Sequence, residues 1–475
     1  MLSDNAMSVI KQFRCFLRAL LVRPWHAVTV CESFLVVRRT RGKSWQRAIQ
    51  WLAVLMGLGV ACGFSALQAA HPEIPGAPQR GPIALIGATV HPVSGPPIEN
   101  GVVLFDSGKI VQVGSDVEIP PEAERIELPN RHIYPGLFDA YSQLGLVEID
   151  AIRATRDTTE TGALNPNVRA QVAVNPDSEL IPVTRSNGVL LGLVAPTGGR
   201  ISGQSAVMQW DGWTYEEMTL KAPAGLHIDW PRVPPVLGRD TATATNPLAE
   251  LEELFRRAKA YRDARRAGWP LVDARLEALL PVLEGSVPIM VMADDGQQIQ
   301  SAVGFRDRHQ LRMVLFGGYD APLCAELLRE RNIPVVVTGI YRLPLRRDDP
   351  YDAPYTLPER LRRAGLRFCI AGVERFGASN VRNLPYHAAT AAAYGLPRDE
   401  ALRAITLYPA QIFEVADRVG SLEPGKDATL IVTTGDVLET PTHVVLAFIQ
   451  GRRVELNDRH KRLYRKYRAK YEEQP

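Results

Sequence analysis

From residue 82 the chain alternates apolar and polar side chains. The stretches PIALIGATVHPV and GVVLFDSGKIVQVG keep the two-residue period of half-buried strands, and Asp106-Ser107-Gly108 supplies a hairpin turn. The pattern returns near the far end in DATLIVTTGD and THVVLAFIQGRRVEL, with Gly451 at another turn. Strands that bracket everything between them predict one small β-sandwich built from both ends, residues 82–131 with 418–457.

The middle, residues 132–417, is patterned differently. GVLLGLVAP, VPIMVMA, RMVLFGG, IPVVVTG and RFCIAG are near-continuous apolar runs, as strands buried on both faces require. Helical spacers such as APLCAELLRERN lie between them. Together they predict parallel β/α units, either a closed barrel or a doubly wound sheet. Residues 247–284 read as a long amphipathic helical insertion and 399–416 as another helix.

At 475 residues the chain is too long for one ordinary core, which suits a large unit with a small one. The formal charge of +3 hides an asymmetry: residues 1–47 carry nine Lys or Arg against Asp4 and Glu32, which leaves the remainder at −4. A nucleic-acid partner is excluded on that ground, since the body offers no basic face. Residues 1–46 form a basic leader. Ala48 to Ala70 then runs uncharged for 23 residues, so 47–70 read as an export signal or a membrane anchor. A Pro-rich linker, 71–81, follows. The body is therefore expected outside the cytoplasm, in the periplasm or cell envelope, with the N-terminal segment as its one membrane contact. Cys15, Cys31 and Cys62 fall in or before the signal. Cys324 and Cys369 read as buried thiols or at most one disulfide. The tail, 458–475, is basic with interleaved tyrosines and reads as an exposed helix, with contact to anionic lipid or a partner as the lesser alternative.

Two motifs carry a resemblance. HIYPGLFDA resembles the first barrel strand of the amidohydrolase superfamily, where Pro-Gly and two apolar residues lead to Asp-x-His-x-His. RVGSLEPGKDATLIV is similar to that family's return to its sandwich, and the helices before it resemble imidazolonepropionase-like members. The resemblance implies an α/β fold, a (β/α)8 TIM-type barrel plus a small sandwich from both termini. It also implies hydrolysis of non-peptide carbon–nitrogen bonds, often in cyclic amides, by a metal-bound hydroxide.

The expected metal ligands are substituted. The two strand-one histidines fall on Tyr141 and Gln143, the fifth-strand position near Met292, the sixth near Phe316, and the final aspartate near Val373 or Glu374. A phenol or an amide can bind a ligand but does not replace imidazole on zinc. His132, His227, His309 and His387 are scattered and read as structural. No metal or other cofactor is therefore expected, although the family norm is one or two divalent ions.

Other groups fall at strand ends, where barrel sites form. Glu374 and Asp294 are the candidate catalytic carboxylates, able to act as a general base without zinc. Asp139, Tyr141, Gln143, Thr197, Asp320, Arg382 and Asn383 are candidate ligand-binding residues for a small polar molecule. For Asp320 the preferred role is capping the following helix. Two functions stand: a hydrolase with a site rebuilt around carboxylates, or a catalytically inactive binding or scaffold protein of the envelope.

Overall fold

Gly136 is where the chain passes from one sheet to another. A side chain there would meet Leu190 at 3.0 Å and Thr429 at 3.1 Å, so glycine lets the two sheets pass closely where a Cβ would crowd both neighbours. The structure, a computed structural model, describes residues 74–232, 248–372 and 377–472. The leader, the signal or anchor run 47–70 and their three cysteines lie outside the described residues.

In chain order, the strands β1 (Ile83–Val90), β2 (Ile98–Asp106), β3 (Lys109–Gly114), β4 (Glu124–Glu127) and β5 (His132–Pro135) open a first sheet. β6 (Leu137–Ser142), β7 (Val189–Val194), β8 (Ile201–Gln209), β9 (Thr219–Asp229), β10 (Ile289–Ala293), β11 (Met313–Gly317), β12 (Val335–Thr338) and β13 (Phe368–Ala371) form a second. β14 (Leu430–Thr433), β15 (Val444–Ile449) and β16 (Arg452–Arg453) return to the first. The longer helices are α1 (Ala249–Arg266), α2 (Gly296–His309), α3 (Ala353–Arg363), α4 (Leu384–Ala393) and α5 (Arg459–Glu472).

The first sheet is the composite of both termini, ordered β16-β15-β14-β5-β1-β2-β3 with β4 beside β1. It folds back on itself, because Phe105 of β2 meets Phe448 of β15 at 5.1 Å although three strands separate them in the order. The β2–β3 turn has Ser107 and Gly108 at φ 51° and 79°, the two positive values a type I′ hairpin demands.

The second sheet is a TIM-type barrel. Its edges meet where Asp139 Oδ1 of β6 accepts from the backbone N–H of Gly372, just after β13, at 2.9 Å. Side chains alternate across the wall: Met290, Val314, Phe316 and Cys369 join an inner cluster, while Val291, Leu315 and Ile370 pack outward against helices. Ile412, Phe413 and Val415 belong to the inner cluster and close the end opposite the strand C-termini. Burial on both faces explains the unbroken apolar runs.

One departure from eight parallel repeats has a simple cause. The stretch after Thr197-Gly198-Gly199, small and polar in sequence, is strand β8, antiparallel to both β7 and β9. Ala195–Arg200 is too short for a crossover helix, so the chain can only turn back as a hairpin. The long helix expected over 399–416 is likewise two short ones, Arg398–Arg403 and Leu407–Ile412, broken at Thr406. The 247–284 insertion divides after α1, and Asp273 caps the next turn by accepting from Arg275 and Leu276 N–H groups. Cys324 and Cys369 are buried free thiols.

Candidate functional site

Inward positions near the C-terminal ends of β6, β9 and β11 place three rings together. Tyr141 stacks on His227 with centroids 5.9 Å apart, and Phe316 sets its edge against Tyr141 at 5.5 Å and His227 at 5.4 Å. Phe316 continues to Phe413 at 6.5 Å, so aromatic carbon fills the barrel axis from the closed end to the mouth. Burial lowers His227 to about 3, so its imidazole is neutral, and Nε2 has no hydrogen-bond partner among the described residues. Burial first, then the charge of Asp229, raises the Tyr141 phenol to about 12. Both groups therefore stay uncharged at neutral pH.

Beside this column opens a polar cavity of about 400 Å3, lined by Arg200, Asp229, Arg232, Met292, Asp294 and Gln298 among others. Arg200 is held by its bond to the Asp229 carbonyl at 2.6 Å, and Gln298 by the Trp230 carbonyl at 2.7 Å. Desolvation raises the Asp229 carboxyl from its ordinary value, and Arg200 and Arg232 oppose that shift. A carboxylate that shares a cavity with two guanidinium groups at the mouth of a barrel can hold a zwitterion or accept a proton from water.

The sequence-predicted residues scatter around this cavity. Asp139 is wholly buried and joins strands, accepting from Gly372 and, at 3.4 Å, from Tyr141 N–H; desolvation raises it to about 7 against the pull of those bonds. Tyr141 lies in the ring column. Gln143 sits in the loop after β6 and does not line the cavity. Thr197 turns away, its N–H donating to the Thr158 carbonyl at 2.7 Å. Asp294 lines the cavity but is engaged by Arg342, whose Nη1 lies 3.1 Å from Oδ2. Asp320 does not cap its own helix. It accepts instead from Gly296 N–H at the start of α2, at 3.0 Å, and from Arg346 through both oxygens. The cap of α2 is Asp295, in a reciprocal box with Gln298. Arg382 gives its carbonyl to Asn187 and its guanidinium to His460, and neither it nor Asn383 lines the cavity. Glu374 and Val373 lie outside the described residues.

Sequence reasoning missed Arg200, His227, Asp229 and Arg232 as a group. Their signal was the alternation in LHIDW, with His227 and Asp229 on one face, which Pro223 and Gly225 upstream disguise as a loop. Among the described residues, no group of three or more His, Cys, Asp or Glu side chains converges as metal ligands do.

The barrel and the two-ended sheet are an amidohydrolase-type fold. A family model described as "Amidohydrolase family" matches residues 359–454. A curated amidohydrolase from Hapsidospora irregularis is 22% identical over 392 residues, covering 74% of this chain. The match covers 39% of that protein, so the chain spans about two fifths of it. The crystal structure of an amidohydrolase from Thermotoga maritima MSB8 is 26% identical with a TM-score of 0.70, covering 78% of this chain and 99% of that one. A second amidohydrolase structure, 16% identical with a TM-score of 0.50 over 78% of this chain and 98% of that one, matches in fold. These likenesses support the amidohydrolase superfamily, hydrolases that normally use metals, and the family model itself reaches residues 359–454 of this chain.

Proposed function

We propose that this protein hydrolyses a carbon–nitrogen bond of the non-peptide, amide type in a small polar molecule held at the barrel mouth, and that it does so without the family's metal-bound hydroxide. The observation that carries the second half is the donor set at the family's ligand positions. Tyr141 offers a neutral buried phenol, Gln143 an amide, Met292 a thioether and Phe316 no donor at all. A divalent ion that must hold and acidify water needs three or four nitrogen, thiolate or carboxylate donors, and these residues do not fit it. Packing supports the same reading, because the one imidazole in this column, His227, is flanked by the Tyr141 and Phe316 rings and not, among the described residues, by further nitrogen, thiolate or carboxylate donors.

What remains for chemistry is the adjoining cavity. Asp229 is its general base in this reading: it is exposed to substrate and water at the mouth, and the partial desolvation that raises its carboxyl makes it a better proton acceptor. Arg200 and Arg232 hold an anionic group of the substrate or the oxygen charge that develops as water adds. Export of the body rests on the apolar run at 48–70, as read from the sequence. Among the described residues no helix is long and apolar enough to cross a membrane.

The second reading, binding without turnover, is favoured by Asp294 and Asp320, each held by an arginine rather than directed at a shared proton. One experiment separates the readings: turnover of cyclic amides and aminoacyl amides by chelator-treated protein, alongside metal analysis and melting shifts with the same compounds. Activity that survives chelation and falls in Asp229→Asn is the expected result. Melting shifts without turnover would leave the binding reading. Tightly held zinc with chelator-sensitive activity would overturn the proposal.

A further inference from the structure

The basic tail forms helix α5, and no residue of it is buried. At about 100° per residue, Leu463, Tyr464, Tyr467 and Tyr471 fall within one stripe roughly 100° wide. The three tyrosines are 65%, 52% and 67% exposed. Lys470 and Arg459 flank one edge of the stripe, and Arg468 and Lys461 the other. Arg462 projects from nearly the opposite side and grips Glu179 with both carboxylate oxygens, at 2.7 and 2.8 Å. That grip and the bond from Lys461 to Ser186 fasten the first turn to the body. The aromatic stripe therefore faces away from the protein.

We propose that α5 is a docking surface for an anionic phospholipid membrane. Seven Lys or Arg against the single acid Glu472 make the helix strongly cationic, whereas the chain after residue 47 sums to −4. Charge on this scale, set on both edges of an aromatic stripe, is the composition of helices that lie in the headgroup plane. Tyrosine suits that depth because its ring is apolar and its hydroxyl wet. Lysines near the surface add attraction to anionic headgroups that salt weakens. An anchor of this kind holds best with a second attachment, and the apolar run 48–70 is available as one.

Residues 70–475 form a compact unit by themselves, so the body is testable without that run. The measurement is co-sedimentation with vesicles of phosphatidylglycerol or of phosphatidylcholine, with polyglutamate and a single-stranded oligonucleotide as competitors. The expected result is salt-sensitive binding to phosphatidylglycerol and little to phosphatidylcholine. Lys466→Gln with Lys470→Gln should weaken it roughly thirty-fold. Replacing Tyr464, Tyr467 and Tyr471 by serine should also weaken it at unchanged charge, with unfolding midpoints unmoved in both variants. Equal binding to both vesicles, no binding to either, or binding indifferent to the tyrosines would overturn the proposal. Preferential capture by polyglutamate or the oligonucleotide would overturn it too, in favour of an acidic protein or a nucleic acid.

Discussion

Replacing Asp139 by asparagine should make the protein more stable above neutral pH, although the residue is completely buried and accepts two backbone hydrogen bonds. Desolvation holds its carboxyl at about 7 in the fold, against an ordinary value of about 3.9. Between those values the folded state keeps a proton that the unfolded chain has released. Stability therefore falls as pH rises through the window and is lowest above it. A shift of about three units corresponds to about 4 kcal/mol. The substituted amide keeps an oxygen for the Gly372 and Tyr141 N–H groups and carries no charge at any of these pH values. The other oxygen, Oδ2, has no hydrogen-bond partner among the described residues, so the amide nitrogen takes its place without breaking a bond. The Asp139→Asn variant should match the wild type near pH 4 and exceed it by up to about 4 kcal/mol near pH 8. Urea midpoints measured across that range, with unchanged slope, read the difference directly. A variant less stable near pH 8, or a difference that does not vary with pH, would refute the claim that this carboxyl is destabilised by burial.

Three further outcomes follow from other sites. Asp211 is buried between Arg185 at 3.2 Å and Arg452 at 3.1 Å, so Asp211→Ala removes the carboxylate that neutralises a buried guanidinium; unfolding by urea should show a loss of about 3–5 kcal/mol. His227 is lowered to about 3, below its unfolded value of about 6.5, so the unfolded chain binds the extra proton and stability falls as pH drops through that window. His227→Leu should flatten that acid limb in a pH series of melting temperatures. Restoring Tyr141→His with Gln143→His should not produce stoichiometric zinc after dialysis, because position 143 does not line the cavity and Met292 and Phe316 add no nitrogen to that of His227; metal analysis decides it.

The parts of the fold legible in the sequence are those whose signal is local. β1, β2 and β3 announce themselves by alternation and by a turn that needs two positive φ values, and β10 to β13 by apolar runs that follow from burial on both faces. β8 and β9 are hidden, because ISGQSAVMQ is small and polar, and TLKAPAGLHID contains Pro223 and Gly225. Each becomes a strand through its partners, which leave no mark in a local window. The site divides the same way. The strand-end hydrogen bonds of Asp139 go with the motif around it, so that role is readable from the sequence. Asp294 and Asp320 look like a convergent pair of carboxylates because they follow successive strands. Their partners, Arg342 and Arg346, come from the loop after β12, 48 and 26 residues away in sequence. That distance has a chemical consequence. Asp294 and Asp320 are already engaged by arginines, whereas Asp229 stands exposed at the mouth with its carboxyl raised by partial desolvation. Proton transfer in the proposed reaction belongs to the carboxyl that no arginine among the described residues holds in a direct ion pair, and that residue lies on a strand whose existence only the assembled barrel reveals.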